Sequence, residues 1–522
     1  MENVSKENVR INMDDKSVLA RIKNNADLYN DRPMMISEGY VPSALAWKSL
    51  DEWSDRLAYW IDKNCKTKKP VIVYGHKHPM MVVCFLACVK SGRAYCPVDV
   101  NVPKARVEAI IDSVDPDLIL TTEPLEIDSD NICLLDDIKK IISETKDVIT
   151  EESYVKADDV FYIIFTSGST GAPKGVQITR DCLDNFIRWA ITLGNGIEDN
   201  KHYVFLNQAP FSFDLSVMDL YLCLYSGGTL FSLTKSQQSD MKILMEALKE
   251  SKVNVWVSTP SFADICLSDP SFNDELMPEL TDFLFCGEIL TNKTVKRLQN
   301  RFPNSKIVNT YGPTESTCAI TQVEITEELN DNVSPLPVGR PKEGTWLRIM
   351  DDGGNILSDG EHGEIVIVGD TVGVGYFNNE EKNKLSFGTT MRDGVEYRYY
   401  RTGDEGYLKD GMLYYGGRID LQVKLHGYRI ELEDIESNLL KIPGIIQAVV
   451  IPKYRDGKVS SLAAGIVLDE SLSENDLPVD DIKSLLKKSL PEYMIPKKIK
   501  VLEDIPRTNN GKIDRKAVGE LL

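Results

Sequence analysis

The chain has 522 residues, 42% hydrophobic and 27% charged, with 60 Lys and Arg against 80 Asp and Glu for a formal net charge of −20. That balance describes a folded globular chain rather than a disordered one, and at roughly 100–200 residues per unit the length asks for two or more packed units. A pI near 4.9 argues against a nucleic-acid or anionic-lipid binder, since both need concentrated positive charge. The opening stretch MENVSKENVRINMDD lacks the apolar region of a signal peptide, and the first 17 residues are polar and expected to be loose. From about 70 to 311, β-branched and aromatic runs predict strands over 71–74, 118–121, 160–165, 203–206, 254–257, 282–285 and 306–309. Helix-like stretches over 181–193, 242–251 and 291–302 lie between them, so this is an α/β chain of parallel sheets covered by helices. The longest apolar run, 80–89, is about half of what a bilayer crossing requires.

From about 336 to 419 glycine becomes frequent, strands shorten (364–368, 413–415) and helical periodicity disappears, which predicts a smaller β-rich unit. After Asp420 the pattern changes again. Helices over 431–441 and 480–489, with strands near 448–451, 463–467 and 498–502, predict a small α+β unit of about a hundred residues. The expected division is therefore a large unit over 1–419 and a small mobile one over 420–522. Residues 421–522 hold 16 basic and 16 acidic side chains, so the whole negative excess sits before them. Within that neutral part Lys483, Lys487, Lys488, Lys497, Lys498 and Lys500 fall close together, either a solvated face or a landing patch for an acidic partner. Ten cysteines without a CxxC pair read as reduced thiols of a cytoplasmic protein, and five scattered histidines give a histidine metal site or triad little support.

The strongest chemical signal is FYIIFTSGSTGAPKGV at 161–176, a buried strand running into a loop of Ser, Gly and Thr with Lys174 at its end. Glycines let backbone N–H groups approach anionic oxygens, and Thr166, Ser167, Ser169 and Thr170 add hydroxyl donors, which is phosphate-cradling chemistry. The loop is not GxxxxGK[ST]. A flexible linker is a poor alternative, because the strand–helix alternation continues on both sides.

This loop resembles the phosphate loop of the adenylate-forming enzymes, the superfamily of acyl-CoA ligases, luciferases and peptide-synthetase adenylation domains. Four more signatures follow in order: NTYGPTE at 309–315, YRTGD at 400–404, GGRIDLQVKLHGYRIE at 416–431 and NGKIDR at 510–515. The resemblance implies ATP and Mg²⁺, with Asn309, Thr310, Tyr311, Gly312 and Pro313 around the nucleotide. Tyr311 is placed against adenine and Asn309 at its edge, Thr314 on the α-phosphate, and Glu315 on the metal. Asp404 implies a ribose clamp, and Tyr415, Gly416, Gly417 and Arg418 a segment closing over the nucleotide. Asp420 resembles the hinge of the small unit. Lys512 is implied to bridge the substrate carboxylate and the nucleotide, where a long flexible cation suits charge developing at phosphorus.

FSFDLSVMDLY at 211–221 resembles the amino-acid-activating branch, with Asp214 on the substrate ammonium; a helix N-cap is its other reading. Cys286 stands where peptide-synthetase domains carry Gly or Ala before Gly-Glu. With VWVSTPSFADIC and VKLHGYRIELEDIE it resembles the ligases that activate D-alanine for lipoteichoic acid. Cys318, at a position where valine is expected, lines the same implied pocket. The expectation is a monomeric two-step ligase that forms D-alanyl-adenylate and then loads the phosphopantetheine thiol of a separate carrier protein. Its nearest rival is a stand-alone peptide-synthetase adenylation enzyme for glycine, serine or L-alanine. An idle homologue serving as a binding module and an acyl-CoA ligase are farther off, the latter disfavoured by Asp214.

Overall fold

The apolar runs pair into two sheets in the computed structural model, which describes residues 17–168, 173–455, 458–469, 471–472, 476–507 and 513–522. The first sheet has nine strands, six of them parallel: Lys306–Tyr311, Asp282–Phe285, Val255–Ser258, Val204–Asn207, Thr229–Ser232 and Pro33–Ile36. The second has seven, with Val160–Thr166, Tyr95–Val98, Val71–Tyr74, Ile119–Thr121 and Ile132–Cys133 parallel and Lys174–Thr179 antiparallel to the first of them. The nine-stranded sheet is buried on both faces, so its strands read as continuous apolar runs rather than as alternation. Phe205, Val257 and Leu284 enter a core shared with the other sheet, while Leu206, Trp256 and Phe283 enter a second one. There Trp256 meets Phe262, Phe272 and Phe283 at 5.6, 5.3 and 5.7 Å, contacts worth about 0.5–1.5 kcal/mol each beyond burial.

The longest apolar run forms the helix Met80–Lys90, buried at every position. Its one charge, Lys90, is neutralised by Asp51 and Asp55 at 2.7 and 2.6 Å. Among the described residues no helix is long and apolar enough to cross a membrane. Ahead of residue 70, for which no element was expected, lie the helices Val18–Tyr29 and Trp47–Asn64 and an edge strand pair.

Residues 336–419 depart from expectation in two ways. Val395–Lys409 is a strand of 15 residues, and a helix occupies Glu380–Ser386. The long strand was hidden because Gly403, at φ +67°, and Gly406 look like turn residues but sit at shifts of register, the first opposite Glu364–Val366 and the second against the strand Met412–Arg418. The helix is capped by Asn379, which accepts from the Lys382 N–H, and Glu380 and Glu381 favour its positive end. From Gln422 onward a two-stranded hairpin (Gln422–Leu425, Tyr428–Glu431) precedes a three-stranded sheet of Ile445–Arg455, Lys458–Leu468 and Lys498–Val501, whose core holds only residues beyond 420.

Candidate active site

The Ser/Gly/Thr loop joins two antiparallel strands, Thr166 facing Lys174 in register. Residues 169–172 lie outside the described residues, Ser169 and Thr170 among them. Ser167 Oγ donates to the Arg429 carbonyl at 2.7 Å, and the buried Lys174 ammonium donates to Glu431 Oε1 at 2.9 Å. Burial pulls the Lys174 pKa down and Arg429 adds to this, against Glu431 and Glu315. Both partners come from the 422–431 hairpin, which therefore packs on the mouth of the loop.

Asn309 and Tyr311 end the strand Lys306–Tyr311, so they emerge at the carboxyl edge of the parallel sheet, where ligands bind in such folds. Tyr311 Oη donates to Asp404 Oδ2 at 2.6 Å, and Arg418 Nη1 donates to Asp404 Oδ1 at 2.9 Å. Burial opposes the Arg418 charge, but Asp404 and Asp420 outweigh it and keep the guanidinium firmly protonated. The Tyr311 and Tyr415 rings lie 5.9 Å apart. The Asn309 amide is fixed by donating to the Pro337 carbonyl at 2.8 Å. Thr310 donates to the Phe285 carbonyl at 2.8 Å, tying this strand end to the one that carries Cys286. Gly312 has no room for a side chain, since a Cβ would stand 2.6 Å from Ala319 Cα.

Asp214 precedes the helix Leu215–Ser226 yet makes no capping bond. Its half-buried carboxylate instead accepts from Thr314 Oγ1 at 2.7 Å. Burial raises its pKa, with Thr314 and Lys424 pulling the other way. Glu315, in the turn Thr314–Ser316, is fully buried; both its oxygens accept from Arg429 Nη1, at 2.8 and 2.7 Å, and Tyr376 Oη donates at 2.7 Å. Burial alone would raise this carboxyl, but Arg429 and Lys174 bring it down to about 2. Among the described residues no group of three or more His, Cys, Asp and Glu side chains could hold a metal ion. A cation at Glu315 would need Arg429 withdrawn and further oxygens from a bound substrate.

Two cavities meet here. The smaller, about 160 Å³, is lined by Asp214, Cys286, Thr314 and Cys318 together with Thr166 and Ser167. The larger, about 380 Å³, is lined by Asn309, Thr310, Tyr311, Tyr415, Gly417 and Asp420. Gly312, Arg418 and Lys424 belong to both linings, and Pro313 and Asp404 to the smaller. Most residues singled out in the sequence are thus brought together. Gly416 is exposed and lines neither cavity, Glu315 lies behind the linings on Arg429, and Ser169, Thr170 and Lys512 lie outside the described residues. Sequence reasoning passed over Lys424, Arg429 and Tyr376. The first two are register partners on the hairpin, and paired cations on one short hairpin were a readable signal; Tyr376 had none.

The chain matches the family of AMP-binding enzymes over residues 22–377 and the AMP-binding enzyme C-terminal domain over 434–512. It is 48% identical to a D-alanine–D-alanyl carrier protein ligase of Listeria welshimeri, over 92% of this chain and 95% of that protein. A protein of the same name from Staphylococcus epidermidis is 45% identical, over 95% of this chain and 99% of the other. Among solved structures, a peptide-synthetase protein containing adenylation and PCP domains aligns with TM-score 0.81 at 26% identity, over 97% of this chain and 84% of that one. An adenylation domain of Vibrio cholerae, solved with glycyl-adenosine-5'-phosphate, shares the fold with TM-score 0.81 at 21% identity, over 100% and 99%. The chain belongs to the family of AMP-binding enzymes.

Proposed function

We propose that this AMP-binding enzyme joins D-alanine to AMP with release of pyrophosphate, then passes the D-alanyl group to the phosphopantetheine thiol of a separate carrier protein, the entry step of lipoteichoic acid D-alanylation. The observation that carries this reading is the half-buried Asp214 carboxylate in a small cavity, with Cys286 and Cys318 in its wall, that shares Lys424 with a larger cavity edged by Tyr311 and Arg418. A carboxylate on the wall of an enclosed cavity suits an α-ammonium group. The relatives support the identity of the amino acid and of the acceptor, and the match covers nearly their whole length.

Asp214 would hold the ammonium, with Cys286 and Cys318 shaping the side-chain space. The nucleotide would lie along Asn309 to Pro313, its ribose on the Asp404 carboxylate and its α-phosphate at Thr314, Thr166 and Ser167. The alanine carboxylate then attacks the α-phosphorus and pyrophosphate leaves. The enzyme's contribution is positioning and charge stabilisation, with Lys512 as a mobile cation. Mg²⁺ fits Glu315 by donor chemistry, a hard carboxylate already carrying a cation in Arg429, and when bound it would neutralise charge on the phosphates. Residues 420–522 would act as a lid turning about Asp420. In the placement described here Arg429 holds Glu315 and Tyr428 packs between Phe213 and Tyr493, at 4.6 and 3.7 Å between ring centres. This supports assigning that placement to the transfer step. The free state of all ten cysteines supports a cytoplasmic setting.

The test is ATP–pyrophosphate exchange with D-alanine, L-alanine, glycine, D-serine and L-serine in parallel, followed by carrier loading. Exchange led by D-alanine is the expected result. Exchange led by another of the five would leave adenylation standing and make the protein a peptide-synthetase-type enzyme. Silence with all five would overturn the pocket assignment.

A further inference from the structure

Two of the ten cysteines, Cys286 and Cys318, line one cavity, the one that also holds Asp214. Cys286 follows the strand Asp282–Phe285, and its thiol donates to the Cys318 carbonyl at 3.6 Å. Cys318 lies in a stiff turn. Thr317 and Cys318 both adopt left-handed backbone, at φ +63° and +68°, a conformation that costs about 1–2 kcal/mol per residue without glycine. The turn is held by Ala319 N–H on the Thr317 carbonyl at 2.8 Å and Ile320 N–H on the Tyr311 carbonyl at 2.8 Å. Both side chains are buried, and the backbone that carries Cys318 is locked.

The two thiols also bias each other chemically. Their mutual contact pulls the Cys286 pKa below the ordinary cysteine value although burial opposes it, and the same contact pushes Cys318 well above. The opposite directions mark two thiols in contact rather than two independent ones. The remaining cysteines differ. Cys84 and Cys88, on the fully buried helix Met80–Lys90, have thiols raised by burial, and neither lines this cavity.

We propose that Cys286 and Cys318 form an oxidisable dithiol in the amino-acid pocket, closing to a disulfide under peroxide and shutting the pocket until a thiol reductant reopens it. Cys286 attacks one peroxide oxygen, giving a sulfenic acid and one water. Cys318 then displaces the sulfenic hydroxyl as a second water, so two thiols and one peroxide become one disulfide and two waters. The bond would draw the end of a strand and the 317–319 turn together across the space beside Asp214. The effect on activity rests on the amino-acid-activation reading given above; the bond itself does not.

The experiment treats the full-length enzyme with hydrogen peroxide and follows intact mass, non-reducing peptide maps and ATP–pyrophosphate exchange. Expected are a loss of about 2 Da, a cross-linked peptide pair containing positions 286 and 318, and lost exchange that dithiothreitol restores. Saturating D-alanine with ATP should protect. Cys286→Ala and Cys286→Ser, each checked for a cooperative melt, should keep their own untreated exchange rates after peroxide and show no cross-link. A mass gain without a 286–318 link, or equal inactivation of both variants, would overturn the proposal. If no amino acid supports exchange, the peptide map still decides the dithiol, and the activation reading fails separately.

Discussion

Asp214 stands where a helix cap would be expected, yet its carboxylate turns to Thr314 and the cavity, so the side chain is free for a ligand rather than for its own helix. Its raised pKa has two consequences. An ammonium binds the ionised form, so the KM for D-alanine should fall as pH rises through the Asp214 titration, and Asp214→Asn should flatten that profile. Losing a charge-assisted hydrogen bond should raise KM by about tenfold to a hundredfold while leaving the KM for ATP nearly unchanged; a steady-state pH series in both substrates checks this. For stability the signs of Asp214 and Glu315 are opposite. With Asp214 the folded chain holds its proton above the unfolded pKa, so this contribution weakens as pH rises through that window. Glu315, brought down to about 2, contributes stability that is complete above the ordinary carboxylate pKa and is lost as pH falls toward that value. Glu315→Gln should therefore remove part of the acid dependence of the melting temperature.

The 422–431 hairpin is the element that decides what the site contains. Its turn reaches Glu288, which accepts from the Gly427 N–H at 2.7 Å, and a Cβ on Gly427 would stand 2.4 Å from Thr259 Cγ2. Gly427 is also left-handed, at φ +83°. Gly427→Ala should thus penalise this placement through the contact with Thr259, while about 1–2 kcal/mol of backbone strain goes with the hairpin turn itself. Carrier loading should fall about tenfold or more, while pyrophosphate exchange, run with the hairpin withdrawn, should hold. Arg429→Ala should act in the same direction, since it leaves Glu315 buried without its cation, a loss of about 3–5 kcal/mol in this placement alone. Equal loss of both half-reactions would overturn the assignment of this placement to transfer. The sequence made the hairpin's residues visible as part of a family signature but could not say what they touch. Arg429 meets a carboxylate 114 positions away, and no local pattern carries such a pairing. By contrast 71–74 and 282–285 were readable to the residue, because short β-branched or aromatic runs between helices leave little choice of bounds. The 395–409 strand was not, because glycines that shift its register look like turns.

At the scale of the molecule, residues 420–522 meet the rest of the chain through several ion pairs. Arg106 meets the buried Asp434 at 3.0 Å, Lys458 meets Asp264 at 2.8 Å and Lys174 meets Glu431 at 2.9 Å, alongside the Arg429–Glu315 fork. Paired charges would suit the lid motion proposed above, because each ion regains water on separation, whereas an apolar face would stay exposed. The lysine cluster has its own place in this arrangement. Lys483 donates to the Lys497 carbonyl, Lys498 to the Leu522 carbonyl and Lys500 to the Leu521 carbonyl, so these three also brace the fold. Lys487, Lys488, Lys497 and Lys498 are exposed, and Pro491 and Tyr493, just beyond the first two, line the Asp214 cavity. Exposed cations on the neutral part of a chain of net charge −20 suit an acidic carrier, the partner proposed above. Reversing all four to Glu should slow carrier loading by about tenfold or more, chiefly through the association rate, and weaken its dependence on salt. D-alanine-dependent pyrophosphate exchange needs no carrier and should be unchanged. Stopped-flow loading at low and high ionic strength separates the outcomes. Equal rates for the reversed and native enzymes at low salt would mean that the carrier docks on another face.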